Sequence, residues 1–251
     1  MAAAYDTYDY PSYWEGREYE HNAEVLAIRH LLAKIPKITK VLEIGAGYGR
    51  LVPLYLYRAN KIILTDPSAR LLKHAKSTYK LKKIKTLQTK AENLPPKIKS
   101  KSVDLIIIVR VLHHVESVDN IFKISHRTLK KNGYLIIEFA NKKHLKAALS
   151  EVLKGNLTFP LDIFPKDRRS EKSIKEHDLP FLNYHPDIII DKLKQQGFRI
   201  VETRSVSNLR SSFIKRILPL DILLFIEDIL QTALSYINLG PSIFILAKKV
   251  G

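Results

Sequence analysis

The segment Val41-Leu42-Glu43-Ile44-Gly45-Ala46-Gly47-Tyr48-Gly49-Arg50-Leu51 decides the fold. Its first half is a short apolar run of the kind that forms a buried strand. Its second half alternates three glycines and then passes into residues that suit a helix. Glycine lets the chain turn tightly and approach a ligand closely, and the helix that follows offers unpaired N–H groups. Alone, Gly-x-Gly-x-Gly is a weak signal. Several nucleotide-binding folds use such loops, and an ordinary tight strand-to-helix turn would carry the same letters.

Further short, β-branched, apolar runs lie on the carboxyl side: residues 61–65, 83–87, 103–109 and 134–139. Helix-like segments separate most of them. Strands alternating with helices predict a parallel sheet, because parallel neighbours need crossovers. On the amino side, residues 22–35 have helical spacing of Val25, Ile28 and Leu32, with Asn22 as a candidate cap. After Phe139 the pattern loosens. Residues 154–184 hold Pro160, Pro165 and Pro180 among many charges and read as a long loop or lid. Residues 186–196 read as a helix with proline in its first turn, ended by Gly197. Residues 198–206 and 242–248 read as strands, and residues 209–236 between them as an amphipathic helix pair broken near Pro219.

The expected architecture is α/β: a Rossmann-like, seven-stranded, mostly parallel sheet with helices on both faces, plus a helical and loop insertion near the C-terminus. The expected organisation is one domain over residues 1–251, with an N-terminal helical cover (1–38), a ligand-binding core (39–140) and a C-terminal part of helices, lid loop and last strands (141–251).

Composition narrows the chemistry. Of 251 residues, 45% are hydrophobic and 27% charged, as in a globular protein with a real core. No cysteine is present, which removes disulfides, zinc–thiolate clusters and thiol catalysis together. That composition suits a reducing cytoplasm, the expected compartment. The start, MAAAYDTYDYPSYW, has no basic beginning and no apolar centre, so a secretory leader is not expected. Residues from Ile229 to Ala247 carry no formal charge, but Gln231, Thr232, Ser235, Asn238, Gly240 and Pro241 are costly in a lipid-spanning helix. That stretch reads as a helix end, a turn and a buried strand. The net charge of +17 favours an acidic partner such as RNA or an anionic membrane. The lysines are scattered, however, as on a solvated surface, and the arginine–aromatic interleaving that stacks single-stranded bases is not evident.

Asp66 ends the run after the glycines, where a carboxylate can accept hydrogen bonds from both hydroxyls of a ribose; it can equally cap the helix that starts after Pro67. A nicotinamide fingerprint, Gly-x-Gly-x-x-Gly, needs glycine where this chain has Arg50.

Five blocks in order resemble the class I S-adenosylmethionine-dependent methyltransferases, in particular the group called methyltransferase type 11. They are residues 42–49, Asp66, residues 91–95, residues 103–115 and residues 129–136, and the likeness is close over about 39–140. The resemblance implies S-adenosylmethionine as cofactor and methyl transfer as the activity. It implies that Glu43, Gly45, Ala46, Gly47 and Gly49 surround the methionine part of the donor, and that Asp66 with Pro67 holds the ribose. Ala91 and Glu92 would meet the adenine, and Val109 and Arg110 would lie along the same pocket. Related enzymes often carry an acid where this chain has Lys90, which cannot accept a hydrogen bond from the adenine amino group. Glu92 or backbone near Ala91 is therefore expected in that role.

A base is needed only if the acceptor must lose a proton. His113 and His114, beyond the fourth strand, are the candidates, with loop packing as the alternative. Arg17 is a candidate for the donor's carboxylate, and Tyr13 and Trp14 for a wall around the sulfonium and acceptor; a plain packed cover is the alternative. Tyr184 and His185 are acceptor-side candidates or loop anchors. No metal is expected. A small-molecule acceptor is favoured; RNA rests on the charge alone, and peripheral membrane contact rests on apolar residues 214–226 beside Lys215 and Arg216. A protein that binds the donor without transferring its methyl group is the remaining alternative.

Overall fold

The computed structural model of the protein describes residues 12–94, 96–175 and 179–250. The reading of residues 1–11 and of Pro95 in the 91–95 block lies outside them. Eighteen helices and strands follow in chain order: α1 (Glu18–Ala33), β1 (Lys40–Ile44), α2 (Val52–Tyr55), β2 (Lys61–Asp66), α3 (Ala69–Thr78), β3 (Ile84–Gln88), β4 (Val103–Ile108), α4 (Val118–Thr128), β5 (Leu129–Ala140), α5 (Leu145–Leu153), β6 (Lys166–Asp167), α6 (Glu171–Lys175), β7 (Leu182–Asn183), α7 (Pro186–Gln195), β8 (Phe198–Val206), α8 (Ser212–Ile217), α9 (Leu220–Ala233) and β9 (Ser242–Lys249).

The main sheet has seven strands in the order β3-β2-β1-β4-β5-β9-β8. Neighbours from β3 to β5 run parallel, and β9 is antiparallel to both β5 and β8. The order reverses beside β1, between strands whose connections leave on opposite faces. Open α/β sheets bind ligands at such a point, outside the carboxyl ends of the strands.

Strand residues alternate between two cores, as a period of two requires. Val41, Leu64, Leu105, Ile107 and Ile136 join α1, α2 and α3 on one face. Leu42, Ile44, Ile106, Ile108 and Ile137 join α4 and α7 on the other. Because both faces are covered, central strands such as β4 read as near-continuous apolar runs rather than as alternation.

The expected fold class stands, with four differences of detail. α1 begins at Glu18, and Asn22 lies inside it, donating its amide to the Glu18 carbonyl (2.8 Å) instead of capping the helix. β5 begins at Leu129, so residues 129–133 belong to the strand rather than to a turn before it. Val103 pairs with Leu129 but Leu105 with Tyr134, so extra residues bulge out of β5, with Asn132 at φ +60. Residues 154–184 are only partly a loop: β6 pairs with β7, and α6 lies between them. The uncharged stretch from Ile229 divides into the end of α9, a turn and β9, and no helix among the described residues is long and apolar enough to cross a membrane.

Candidate active site

The three glycines of the loop after β1 all have positive φ: +71 at Gly45, +54 at Gly47 and +82 at Gly49. Gly45 is the most constrained. A Cβ there would lie 2.2 Å from Cγ2 of Val111, so the loop after β4 closes against the loop after β1 with no room for a side chain. At Gly49 a Cβ would meet the Tyr79 ring at 3.0 Å. The loop is tied inward. Ala46 N donates to the Thr65 carbonyl at 2.9 Å, and Gly47 N donates to Asp66 Oδ2 at 2.9 Å.

Asp66 thus joins two loops. Its second oxygen accepts from Ser68 N at 2.8 Å, and its carbonyl accepts from Thr89 N at 3.0 Å, which brings the end of β3 alongside. The helix cap is a different residue: Ser68 Oγ accepts from Leu71 N and starts α3. The two backbone N–H groups hold the Asp66 carboxylate in one orientation at the sheet edge. Pro67 accepts from the Gln88 amide at 3.1 Å, and residues 91–93 form a single turn beyond β3 that carries Ala91 and Glu92.

Glu43 points into the core. It accepts a short hydrogen bond from Tyr55 of α2, and burial pushes its carboxyl up to about 7. It ties β1 to the helix that leaves the glycine loop.

Val109 and Arg110 follow β4. Arg110 has φ +58, an uncommon conformation for a residue with a side chain, and its N–H donates to Glu138 Oε2 at 2.7 Å. Its guanidinium meets Glu24 of α1 at 2.6 Å, as does that of Arg50 from the glycine loop. Glu24 is buried. Burial alone would raise its carboxyl, but the charges of Arg110 and Arg50, and the hydrogen bonds they donate, hold it below the ordinary carboxylate value.

The leading aromatic segment lands on this group. Trp14 lies against the guanidinium of Arg50 (3.9 Å) and near that of Arg110 (4.7 Å). Tyr13 carries Arg17 over its ring at 4.2 Å and accepts from Arg17 and Arg110 through its hydroxyl. Tyr13, Trp14 and Arg17 are therefore brought to the same edge as the glycine loop. Glu24, Arg50, Glu138 and Tyr55 had no place among the residues expected from the sequence. Only Arg50, inside the loop itself, carried a signal that could have singled it out.

His113 and His114 sit in a turn after β4, with ring centroids 4.0 Å apart; Phe181 packs on His113 at 4.6 Å. Burial lowers the pKa of His114 and lowers that of His113 further, where His114 and Arg110 add to the effect. His114 Nδ1 lies 2.7 Å from the Pro180 carbonyl. A carbonyl can only accept, so the proton of the neutral ring sits on Nδ1 and Nε2 keeps the lone pair. Tyr184 and His185 are committed elsewhere. The Tyr184 hydroxyl donates to the Leu112 carbonyl at 3.2 Å, while His185 caps α7 through Nδ1 and contacts the Pro160 carbonyl through Nε2 at 3.1 Å. Their geometry is that of loop anchors behind the histidine turn.

The residues fit an adenosyl sulfonium donor. Asp66 supplies the acceptor that a ribose requires, beside a close-approach glycine loop. Two buried polar atoms on this side, Trp14 Nε1 and His113 Nδ1, have no partner among the described residues. Buried polar groups are ordinarily paired, at a cost of about 1–3 kcal/mol when they are not, so orphans beside one edge suit a surface whose partner is a ligand.

Comparison with known proteins agrees. Residues 42–137 match the model of the methyltransferase domain. The chain is 26% identical over 196 residues to a ubiquinone biosynthesis O-methyltransferase of Pelagibacter ubique, covering 72% of this chain and 80% of the relative. A crystal structure of an S-adenosylmethionine-dependent methyltransferase from Mesorhizobium loti superposes with a TM-score of 0.62 at 15% identity, over 90% of this chain and 98% of that one. One from Archaeoglobus fulgidus gives 0.58 at 18% identity, over 96% and 100%. The glycine loop and the acid that follows it lie within residues 42–137, a methyltransferase domain similar to those of the S-adenosylmethionine-dependent methyltransferases, with S-adenosylmethionine as its cofactor.

Proposed function

We propose that the enzyme methylates a small-molecule acceptor, at a hydroxyl oxygen, over the carboxyl edge of β4 and β5. The observation that carries this reading is a half-open cavity of about 360 Å³ just beyond β5, lined by Lys142, α5, Phe159, Lys166, Arg168 and Asn183. Its volume lies within the ordinary range for small-molecule sites, about 300–1,000 Å³. Asn183 of β7 lines it, and β7 packs against the turn that carries His113 and His114. The Pelagibacter relative, named for an O-methyltransferase of ubiquinone biosynthesis, supports an oxygen acceptor.

When bound, S-adenosylmethionine supplies a methyl group already activated by its sulfonium. The protein's task is then alignment and exclusion of water. Asp66 would hold the ribose hydroxyls, Glu92 with backbone near Ala91 the adenine, and the glycine loop the methionine part. Arg50 and Arg110, anchored on Glu24, carry Tyr13 and Trp14 over the edge and keep water out. As the new O–C bond forms, the acceptor's O–H bond breaks and its proton passes to an imidazole nitrogen. The glycine loop and Asp66 would hold S-adenosylmethionine while it gives up the methyl and leaves as the neutral thioether, with the C–S bonding pair on its sulfur. A neutral imidazole is required for this, and burial keeps both His113 and His114 neutral at pH values below the ordinary histidine value of 6.5.

Incubation with donor tritiated in the methyl group and fractionated cell extract tests the assignment. Label is expected in the small-molecule pool and to be lost with Asp66→Ala. Label confined to RNA or protein would overturn it.

A further inference from the structure

The cavity beyond β5 is unusually basic. Lys142, Lys146, Lys154, Lys166 and Arg168 line it, against one acid, Glu151. Three of the cations have partners. Lys142 pairs with Asp162 and with the carbonyls of Asp162 and Phe164, while Lys166 (3.2 Å) and Lys154 (3.7 Å) share Glu151. Lys146 and Arg168 have no acidic partner among the described residues. His144 lines the same cavity, and burial and the charges of Arg168, Arg210 and Lys146 hold it below its ordinary value, so the cations share one small region. Gathering like charges around a concave surface is unfavourable unless something anionic joins them. The cavity also takes in the first turn of α5, whose N–H groups add positive potential.

A single carboxylate would offset little of this excess. A phosphate carries about −1.5 to −2 charges with three acceptor oxygens, and a guanidinium matches it in two-pronged geometry. We propose that the cavity binds a phosphate or diphosphate group through Lys146 and Arg168, so that the acceptor is a small phosphorylated molecule held beside β5. This rests on the acceptor side assigned above, and it adds the chemical class of the substrate.

Inorganic pyrophosphate is the probe, titrated calorimetrically into the whole protein at about 0.15 M salt, where attraction to a diffuse charge is largely screened beyond about 8 Å. The variants are Lys146→Glu/Arg168→Glu, the milder Lys146→Gln/Arg168→Gln, and Lys80→Glu/Lys82→Glu, an exposed control far along the chain. Saturable one-to-one binding is expected, weakened about tenfold or more in both cavity variants and within about twofold of wild type in the control. S-adenosylhomocysteine affinity, measured in parallel, is expected to be equal in all four proteins and certifies that each is folded. Equal weakening in the control, or no saturable binding, would overturn the proposal. So would bulk tRNA binding that drops in the cavity variants, since that would make the anion a nucleic acid. Failure of wild type to bind S-adenosylhomocysteine would instead overturn the cofactor reading and leave the pyrophosphate result to stand by itself.

Discussion

At the carboxyl edge of the sheet, two arginines from different loops share one carboxylate. The side chain of Glu24 is 1% exposed, that of Arg50 8% and that of Arg110 26%, so little water reaches the group. Removing one member of such a set leaves uncompensated charge, typically at about 3–5 kcal/mol. Glu24→Gln is expected to lower unfolding stability by roughly that amount in urea denaturation at neutral pH. Because Glu24 titrates below its ordinary 4.5 in the fold, the stability it adds is full above that value and is lost as the pH falls through the lowered one. The difference between variant and wild type should therefore close on the acid side of 4.5. A difference under about 1 kcal/mol at pH 7 would show an exposed pair instead. Glu24 was invisible in the sequence for a physical reason. It lies within the apolar stripe of α1, beside Ala23, Ala27 and Ile28, and nothing local separates a buried paired acid from a solvated one. Asp66 and the glycines were legible because their roles are local: a turn that needs positive φ, and an acid at a strand end.

At the scale of elements, the strands of the core were legible to within a few residues, since each is an apolar run bounded by turn formers. The start of β5 was not. Its Asn132–Gly133 pair has the composition of a turn, and the pairing of Leu129 with Val103 that makes it a bulged strand is non-local. The insertion between β8 and β9 was legible as helices but not in its attachment. Glu227 of α9 is fully buried and accepts from Tyr19 of α1 (2.6 Å), Ser207 N (2.7 Å) and Asn208 N (3.0 Å). The Tyr19 hydroxyl in turn accepts from Leu209 N at 2.8 Å. One phenol thereby ties α9 and the residues leading into α8 to the N-terminal helix. Tyr19→Phe leaves a buried carboxylate oxygen and a backbone N–H short of a partner, and a cost of about 1–3 kcal/mol is expected. Hydrogen exchange should quicken first over residues 209–233, ahead of β1 and β4. Unchanged exchange there, with stability within about 0.5 kcal/mol of wild type, would mean that the insertion is held by its apolar contacts alone.

Across the whole molecule, the labour is divided along the sheet. The half from β3 to β4 carries the proposed donor side, with the reversal of strand order setting the glycine loop beside Asp66. The half from β5 to β8 carries the later segments that line the basic cavity. The charge of +17 read from the sequence gave no location, because lysines on many elements come together only once β6, β7 and α5 are folded. Both halves depend on the loop after β1 receiving the donor, and calorimetry with S-adenosylhomocysteine examines that step without any acceptor. One site per chain is expected, with affinity reduced about tenfold or more, or about 1.4 kcal/mol, by Asp66→Asn. No heat with the wild-type protein, or equal affinity in the variant, would contradict it.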